Sequence, residues 1–427
     1  MTQNTLKNFI SFAEKSPTAW HATHELKEHL LKKGFCRLRA NTRWKITPGK
    51  RYFVQNGGTL CAFTLPKKMP DQATILGSHT DSPALKLKPQ PVFFENGFPF
   101  CRLESYGGPI LSTYLSRDLA IAGRLFTENK SKKILEKLVY LKKTPLVIPP
   151  LAIHLDRKVN TDPKPIDKQE HLCPLLGLSE KNIDEEKYFA KMLGLGSKGE
   201  DLLSFDLYLV PIDTPCFIGT SGAMLAAYRL DNLVSVYSSL EALCTAKGPL
   251  SNTIQMAIFF NHEEIGSQTE EGASSPFLGD CLKRICFALK MDQEDFFKLK
   301  SNSSLLSIDV DHGLHPLFKN SYDVSNTAEL GEGVSIKFNA NQSYATTGMS
   351  GAKIVHLCKK NRISYRLSAS HSNRPSGSTI GPRAATHLGI ETVDIGIPLL
   401  SMHSAREIIA NKDYLHLTHL LKSALEG

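Results

Sequence analysis

The chain has 427 residues, 41% hydrophobic and 22% charged, and its 51 Lys and Arg outnumber 42 Asp and Glu for a formal net charge of +9. That length suits one large domain plus a second, or a domain carrying an insertion, and no run of about 18 apolar residues offers a membrane span. The basic residues are dispersed, with no aromatic interleaving that would mark a nucleic-acid binder, and the nine cysteines are odd in number and never paired as CxxC, which speaks against a disulfide framework and for a reducing cytoplasm.

The opening segment MTQNTLKNFISFAEKSPTAW lacks the basic and apolar regions of a secretory signal. It is predicted to form an amphipathic helix with Leu6, Phe9, Ile10 and Phe12 to one side. ATILGS (73–78) reads as a short buried strand running into His79. From 93 to 218 the pattern changes to shorter apolar runs, more Pro and a polar stretch at 156–171, as expected of an insertion that splits an α/β domain into 1–92 and 219–427. Within it, KSKKILEKLVYLKK (130–143) reads as part of a helix. Beyond it, 231–247 and 349–360 have helical periodicity, and TIQMAIFF (253–260), LLSIDV (305–310) and TVDIGI (392–397) read as strands. Strands alternating with helices predict a central sheet covered on both faces, with ligands bound beyond the carboxyl ends of its strands.

Five features fall at such strand ends. His79-Thr80-Asp81 pairs a histidine with a carboxylate able to orient it, Asp231 heads a helix in RLDN, and the neighbours Glu263 and Glu264 follow an apolar strand. Asp309 interrupts an apolar run and therefore needs a partner, and His403 stands in LLSMHSARE between a strand and a helical stretch. Each alone has an ordinary structural explanation: a turn, an N-cap, a solvated acidic turn, a buried ion pair, a satisfied core histidine. Together they supply what two zinc ions need, namely a His and a carboxylate for each ion, a bridging carboxylate and a spare carboxylate as base. There is no G-x-S-x-G, no G-x-G-x-x-G after a strand, no phosphate loop and no H-E-x-x-H, and Gly377–Gly381 is better read as a Gly-rich turn into a helix.

These residues belong to an ordered series of segments: SPTAWHA (16–22), GSHTDSP (77–83), YGG (106–108), RDLAIAGR (117–124), LAIHL (151–155), RLDN (229–232), EEIGS (263–267), SIDVDHGLHP (307–316), IKFNANQSYAT (336–346), GSTIGP (377–382) and LSMHS (400–404). In this series the chain resembles the M18 metallopeptidases, the aspartyl aminopeptidase family, over nearly its whole length. The resemblance implies an α/β two-zinc exopeptidase-like domain at 1–92 and 219–427, interrupted at 93–218 by a β-rich dimerisation domain, with dimers assembled into a homo-dodecamer. It implies two Zn2+ per subunit, with Mn2+ or Co2+ as alternatives. His79 and Asp309 would hold one ion, Glu264 and His403 the other, and the Asp231 carboxylate would bridge them, with the Asp231–Asn232 bond that follows it cis. Glu263 would be the general base, and Asp81 would stand behind the metal ligands, helping to position His79. Lys337, His312 and Tyr344 would line the substrate pocket, and His154 would reach a neighbouring subunit's site. The activity implied is removal of N-terminal residues from peptides, acidic ones preferred. The alternatives are a related two-zinc deacylase or a non-catalytic assembly protein. Pro109, Ser116, Asn261, Ser343 and the stretch Asn373-Arg374-Pro375-Ser376-Gly377 depart from the family pattern, and none of them is a metal-ligand or base position.

Overall fold

The run Thr253–Phe260 is apolar on both of its faces, as a strand in the middle of a covered parallel sheet must be. In the computed structural model, which describes residues 3–178, 184–195, 201–248 and 252–427, it lies within a nine-stranded sheet. The strand order is Cys36–Leu38, Arg51–Asn56, Thr59–Thr64, Thr253–Phe260, Gln72–His79, Ser304–Ile308, Glu391–Gly396, Val334–Phe338 and Tyr365–Ala369. The four strands Thr253–Phe260, Gln72–His79, Ser304–Ile308 and Glu391–Gly396 run parallel.

Alternation sends successive side chains to opposite cores. Ala257 and Phe259 join one cluster with the helices Gln3–Glu14, Leu230–Thr245 and Asn411–Glu426. Met256, Ile258 and Phe260 join the other with Phe277–Ala288, Gln293–Asn302 and Ile380–Leu388. The predicted N-terminal helix docks through Leu6, Phe9 and Phe12, and Phe9 stacks on Tyr414 at a centroid distance of 5.0 Å. Burying each such side chain contributes about 1.5–3 kcal/mol.

The chain divides into two compact units. The first comprises Met1–Ser82, Pro215–Met402 and Glu407–Gly427, and it also holds a five-stranded sheet in the order Cys216–Ile218, Met224–Ala227, Glu407–Ala410, Pro398–Leu400, Asp311–His312. The second comprises Pro83–Thr214 and His403–Arg406. Its sheet is antiparallel throughout, ordered Phe98–Tyr106, Ala84–Glu95, Asp201–Pro211, Leu119–Glu128, Ile134–Tyr140.

The breaks differ from those expected at 92/93 and 218/219. Residues from Ala84 onward already pair with Phe98–Tyr106 and Asp201–Pro211, whereas Cys216–Ile218 pairs with Met224–Ala227 of the first unit. The helix expected within 130–143 is instead the edge strand Ile134–Tyr140, paired with Leu119–Glu128. Its apolar residues have helical spacing, but pairing with a neighbouring strand overrides that pattern, and its lysine sits comfortably on an exposed edge.

One close approach ties the sheet to the residues at its edge. A Cβ on Gly396 would lie 1.7 Å from the Asp309 carbonyl oxygen. Gly396→Ala should therefore displace Asp309 and cost at least about 1–3 kcal/mol in urea unfolding. Gly348→Ala, at a helix start with nothing within 4 Å, should be neutral or stabilising by up to about 1 kcal/mol. Equal stability of the two variants would contradict this account of Gly396.

Candidate metal centre

Three neighbouring parallel strands end together. Register pairs Phe260 with His79 and Ser307 with Gly77, so the chain leaves the sheet at His79, at Phe260 and at Ile308 on adjacent strands. The segments that follow carry Asp81, Glu263 with Glu264, and Asp309, which places them beyond the carboxyl ends of the sheet.

His79 is 1% exposed, and its Nε2 lies 3.4 Å from Asp309 Oδ1 and 3.5 Å from Asp231 Oδ1. Donors held about 2.0–2.2 Å from one tetrahedral ion are themselves about 3.3–3.6 Å apart, so both distances match those between donors of one zinc shell. The His79 Nδ1 lies 3.2 Å from the Asp81 carbonyl oxygen. Donation to that carbonyl leaves Nε2 as the ligating nitrogen.

Asp81 acts on both sides of the cluster. Its Oδ1 and Oδ2 accept the Glu263 and Glu264 backbone N–H groups, each at 3.1 Å, and Oδ1 lies 3.5 Å from His79 Nδ1. The two glutamates occupy a tight 3-10 turn, Glu263–Ile265, flanked by His262 and Gly266 at positive φ. Asp231 does not cap its helix: the cap position falls on Arg229, in the left-handed region, and Asp231 and Asn232 depart from helical geometry across a cis peptide bond. Around that bond, Asp231 N–H donates to Glu407 Oε2 at 2.9 Å, Ser82 Oγ donates to the Asp231 carbonyl at 2.5 Å, and Asn232 Nδ2 donates to the Ile308 carbonyl at 2.9 Å. The buried Arg229 guanidinium reaches the Ser16 and Thr80 carbonyls and Ser82 Oγ.

Crowding shows in the acidities. Burial, reinforced by Asp309, Asp81 and Asp231 and offset in part by His79, pushes the Glu263 carboxyl up to about 8. Burial together with Asp231 and Glu263 likewise raises Glu264 well above its usual range. Burial alone would lower His79, but its contacts with Asp309 and Asp81 outweigh this and hold it well above normal. His79, Asp231 and Asp309 form one set whose donor atoms lie within 4.8 Å of one another, and His79, Glu263 and Glu264 form a second. Imidazole and carboxylate donors of this kind fit a divalent zinc-type ion, whose charge would reverse each of these shifts.

Lys337 is not a surface residue. It is 1% exposed, and its Nζ donates to the Asp309 and Val310 carbonyls, both at 3.2 Å, and lies 5.0 Å from the Tyr344 ring centre. Burial opposes its charge, but Asp309 and other neighbours raise its pKa and keep it cationic. Burial raises the Tyr344 phenol, leaving it a hydrogen-bond donor. His312 is exposed on the short strand Asp311–His312. The other two predicted residues lie in the second unit. His154 is exposed on a turn, and His403 has φ +66°, its Nδ1 3.1 Å from the Gly108 carbonyl.

Sequence reasoning passed over Glu407 and Asp394. Asp394 is fully buried and accepts from Ala345 N–H and Thr379 Oγ1, both at 2.6 Å, which sets the backbone beside Tyr344. It interrupts the apolar run TVDIGI just as Asp309 interrupts LLSIDV, so the same signal was there to be read.

A metal centre of histidine and carboxylate donors at the ends of parallel strands defines a class, the metal-dependent hydrolases built on an α/β sheet. Residues 12–424 match the family Aminopeptidase I zinc metalloprotease (M18). The chain is 37% identical to a probable M18 family aminopeptidase 2 of Streptomyces avermitilis, over 98% of this chain and 97% of that one. Its fold is similar to that of a chain in the cryo-EM structure of the Ape4 and Nbr1 complex, with TM-score 0.93, 32% identity, and coverage of 99% of this chain and 85% of that one. It is also similar to the S. cerevisiae mApe1 dodecamer, with TM-score 0.84, 26% identity, and coverage of 99% and 96%. The chain belongs to the M18 family of zinc aminopeptidases, and it is a hydrolase.

An ion bound only by the folded state stabilises it, so for a zinc aminopeptidase a chelator should lower the melting temperature and added zinc should restore it. The shift should correspond to about 2.7 kcal/mol when free zinc is 100 times its dissociation constant. Identical melting with and without chelator would contradict the metal centre.

Proposed function

We propose that the chain is a two-zinc aminopeptidase that removes single residues from peptide N-termini and prefers Asp or Glu there. The observation that carries this reading is the buried triangle of His79, Asp231 and Asp309 beside Glu263. In this reading His79 and Asp309 hold one ion, Glu264 and His403 the other, and Asp231 is shared. The Gly108 carbonyl at His403 Nδ1 supports Nε2 as the ligating atom, as the Asp81 carbonyl does for His79.

The ions, when bound, polarise the scissile carbonyl and acidify water. Glu263 takes a proton from the attacking water and delivers it to the leaving amine. Asp81 holds the turn so that Glu263 and Glu264 point to different tasks. The Tyr344 hydroxyl donates to the oxygen that becomes negative as the tetrahedral centre forms. Lys337, with His312 assisting, pairs with an acidic substrate side chain. The nine free thiols accord with a reducing compartment such as the cytoplasm, and among the described residues no helix is long and apolar enough to cross a membrane.

Assembly into a homo-dodecamer, the state of yeast mApe1, is part of the same proposal, with the second unit dimerising and His154 reaching a neighbouring copy. Leu151, Ile153 and Leu155 are exposed around His154, as suits a surface covered by another copy. Light scattering should return twelve chains of 47.3 kDa, and a monomer would refute the assembly.

Glu263→Gln keeps the size of the side chain but removes the proton acceptor. Turnover should fall at least about 100-fold with zinc content unchanged. Loss of zinc together with activity would mean that Glu263 is a ligand and Glu264 the base.

Lys337→Met keeps the length of the side chain without its charge. Turnover of aspartyl and glutamyl anilides should fall far more than that of alanyl or leucyl ones, since losing a desolvated charge pair costs about 2–5 kcal/mol. An equal loss on all four substrates would refute the acidic preference while leaving aminopeptidase activity intact.

A further inference from the structure

The loop carrying Glu263 and Glu264 leaves the sheet at Phe260 and closes on itself at Glu271. Its neck is fastened by side chains. The Glu271 carboxylate, 5% exposed, accepts from Asn261 Nδ2 and from Gly58 N–H, both on Oε2 at 2.7 Å. The Glu271 carbonyl accepts from the Thr59 hydroxyl at 2.5 Å and from Asn261 N–H at 3.1 Å. Above the neck, His262 Nδ1 lies 2.8 Å from Thr269 Oγ1, and Ser267 N–H donates to the His262 carbonyl at 2.9 Å. The rungs end at the turn that presents Glu263 and Glu264.

The same clasp reaches the segment that carries His79. The Gly58 carbonyl accepts from the Thr23 hydroxyl at 2.7 Å and the Thr80 hydroxyl at 3.2 Å, and Thr80 follows His79 directly. Gly57 and Gly58 leave room for the carboxylate: a Cβ on Gly57 would lie 1.9 Å from Glu271 Oε1, and one on Gly58 2.9 Å from Oε2 and 2.6 Å from Asn261 Nδ2. A buried carboxylate is costly unless its lone pairs are taken by N–H donors, and an apolar side chain would fill the same space without that cost. What the acid adds is direction. It fixes the neck at two points on two different segments.

We propose that Glu271, through Asn261 and Gly58, is a positioning residue for Glu263, holding the base at the place beside His79 from which it reaches the attacking water. The proposal rests on the reading of Glu263 as general base. A misplacement of about 1 Å costs on the order of 100-fold in rate, so loosening the neck acts on the chemical step rather than on substrate binding.

The test uses the full-length, zinc-loaded protein with aspartyl and alanyl anilides. Glu271→Ala should lower kcat at least about 10-fold on both, with KM and zinc content near wild type. Glu271→Gln, whose amide oxygen can take both hydrogen bonds on Oε2, should keep kcat within about threefold. Wild-type kcat in Glu271→Ala, or equal impairment of the two variants, overturns the proposal. Should Glu271→Ala fail to fold or to hold zinc, Gly58→Ala decides, because its methyl parts the clasp while the carboxylate stays. Reduced kcat at unchanged KM supports the proposal, and wild-type kcat overturns it. Glu263→Gln measured alongside separates the two levels. Full activity there overturns the base assignment and this proposal with it. An inactive Glu263→Gln beside a wild-type Glu271→Ala overturns this proposal alone.

Discussion

Too many acids share one small buried volume at the ends of the central strands, and the rest of the site is arranged around that fact. Asp231, Asp309, Glu263 and Glu264 gather around the imidazole of His79, and burial then raises the pKa of both glutamates. Such an arrangement is unfavourable without a counter-charge. A divalent cation would supply one, and the same crowding would then favour its binding. The fold is thus organised to hold apart, at fixed separations, groups that would otherwise repel or share protons.

Rigid backbone partners do the holding. Asp81 spans His79 and the two glutamate N–H groups, Glu407 and Ser82 grip the two sides of Asp231, and Lys337 fastens the carbonyls of Asp309 and Val310. These supports come from segments distant in sequence but adjacent in the sheets. Chemistry at the centre therefore depends on the tertiary fold as a whole, and a backbone contact such as Gly396 against Asp309 belongs to the site as much as a ligand does.

Much of this was legible in the sequence, and the reason differs from element to element. Buried parallel strands announce themselves as apolar runs, so Gln72–His79, Thr253–Phe260 and Glu391–Gly396 were readable, as was the helix Leu230–Thr245. Polar residues directly after such runs pointed to His79, Glu263, Glu264 and Asp309. For Asp231 taken singly, a helix cap was the favoured explanation, and the structure puts the cap at Arg229 instead. Lys337 looked like an ordinary strand lysine because sequence does not report that both faces of Val334–Phe338 are covered. The edge strand Ile134–Tyr140 was misread because its pairing partner, and not its local periodicity, decides its conformation. Glu271 was invisible for a related reason: its partners are a glycine and an asparagine from separate segments.

Whether these residues hold two ions is best tested by anomalous diffraction at the zinc absorption edge from crystals of the zinc-loaded protein. The account expects two peaks per chain, about 3.5–4 Å apart, with Asp231 between them and His79 and Asp309 about 2.0–2.2 Å from one of the peaks. A single peak, or zinc bound away from His79, Asp231 and Asp309, would contradict it.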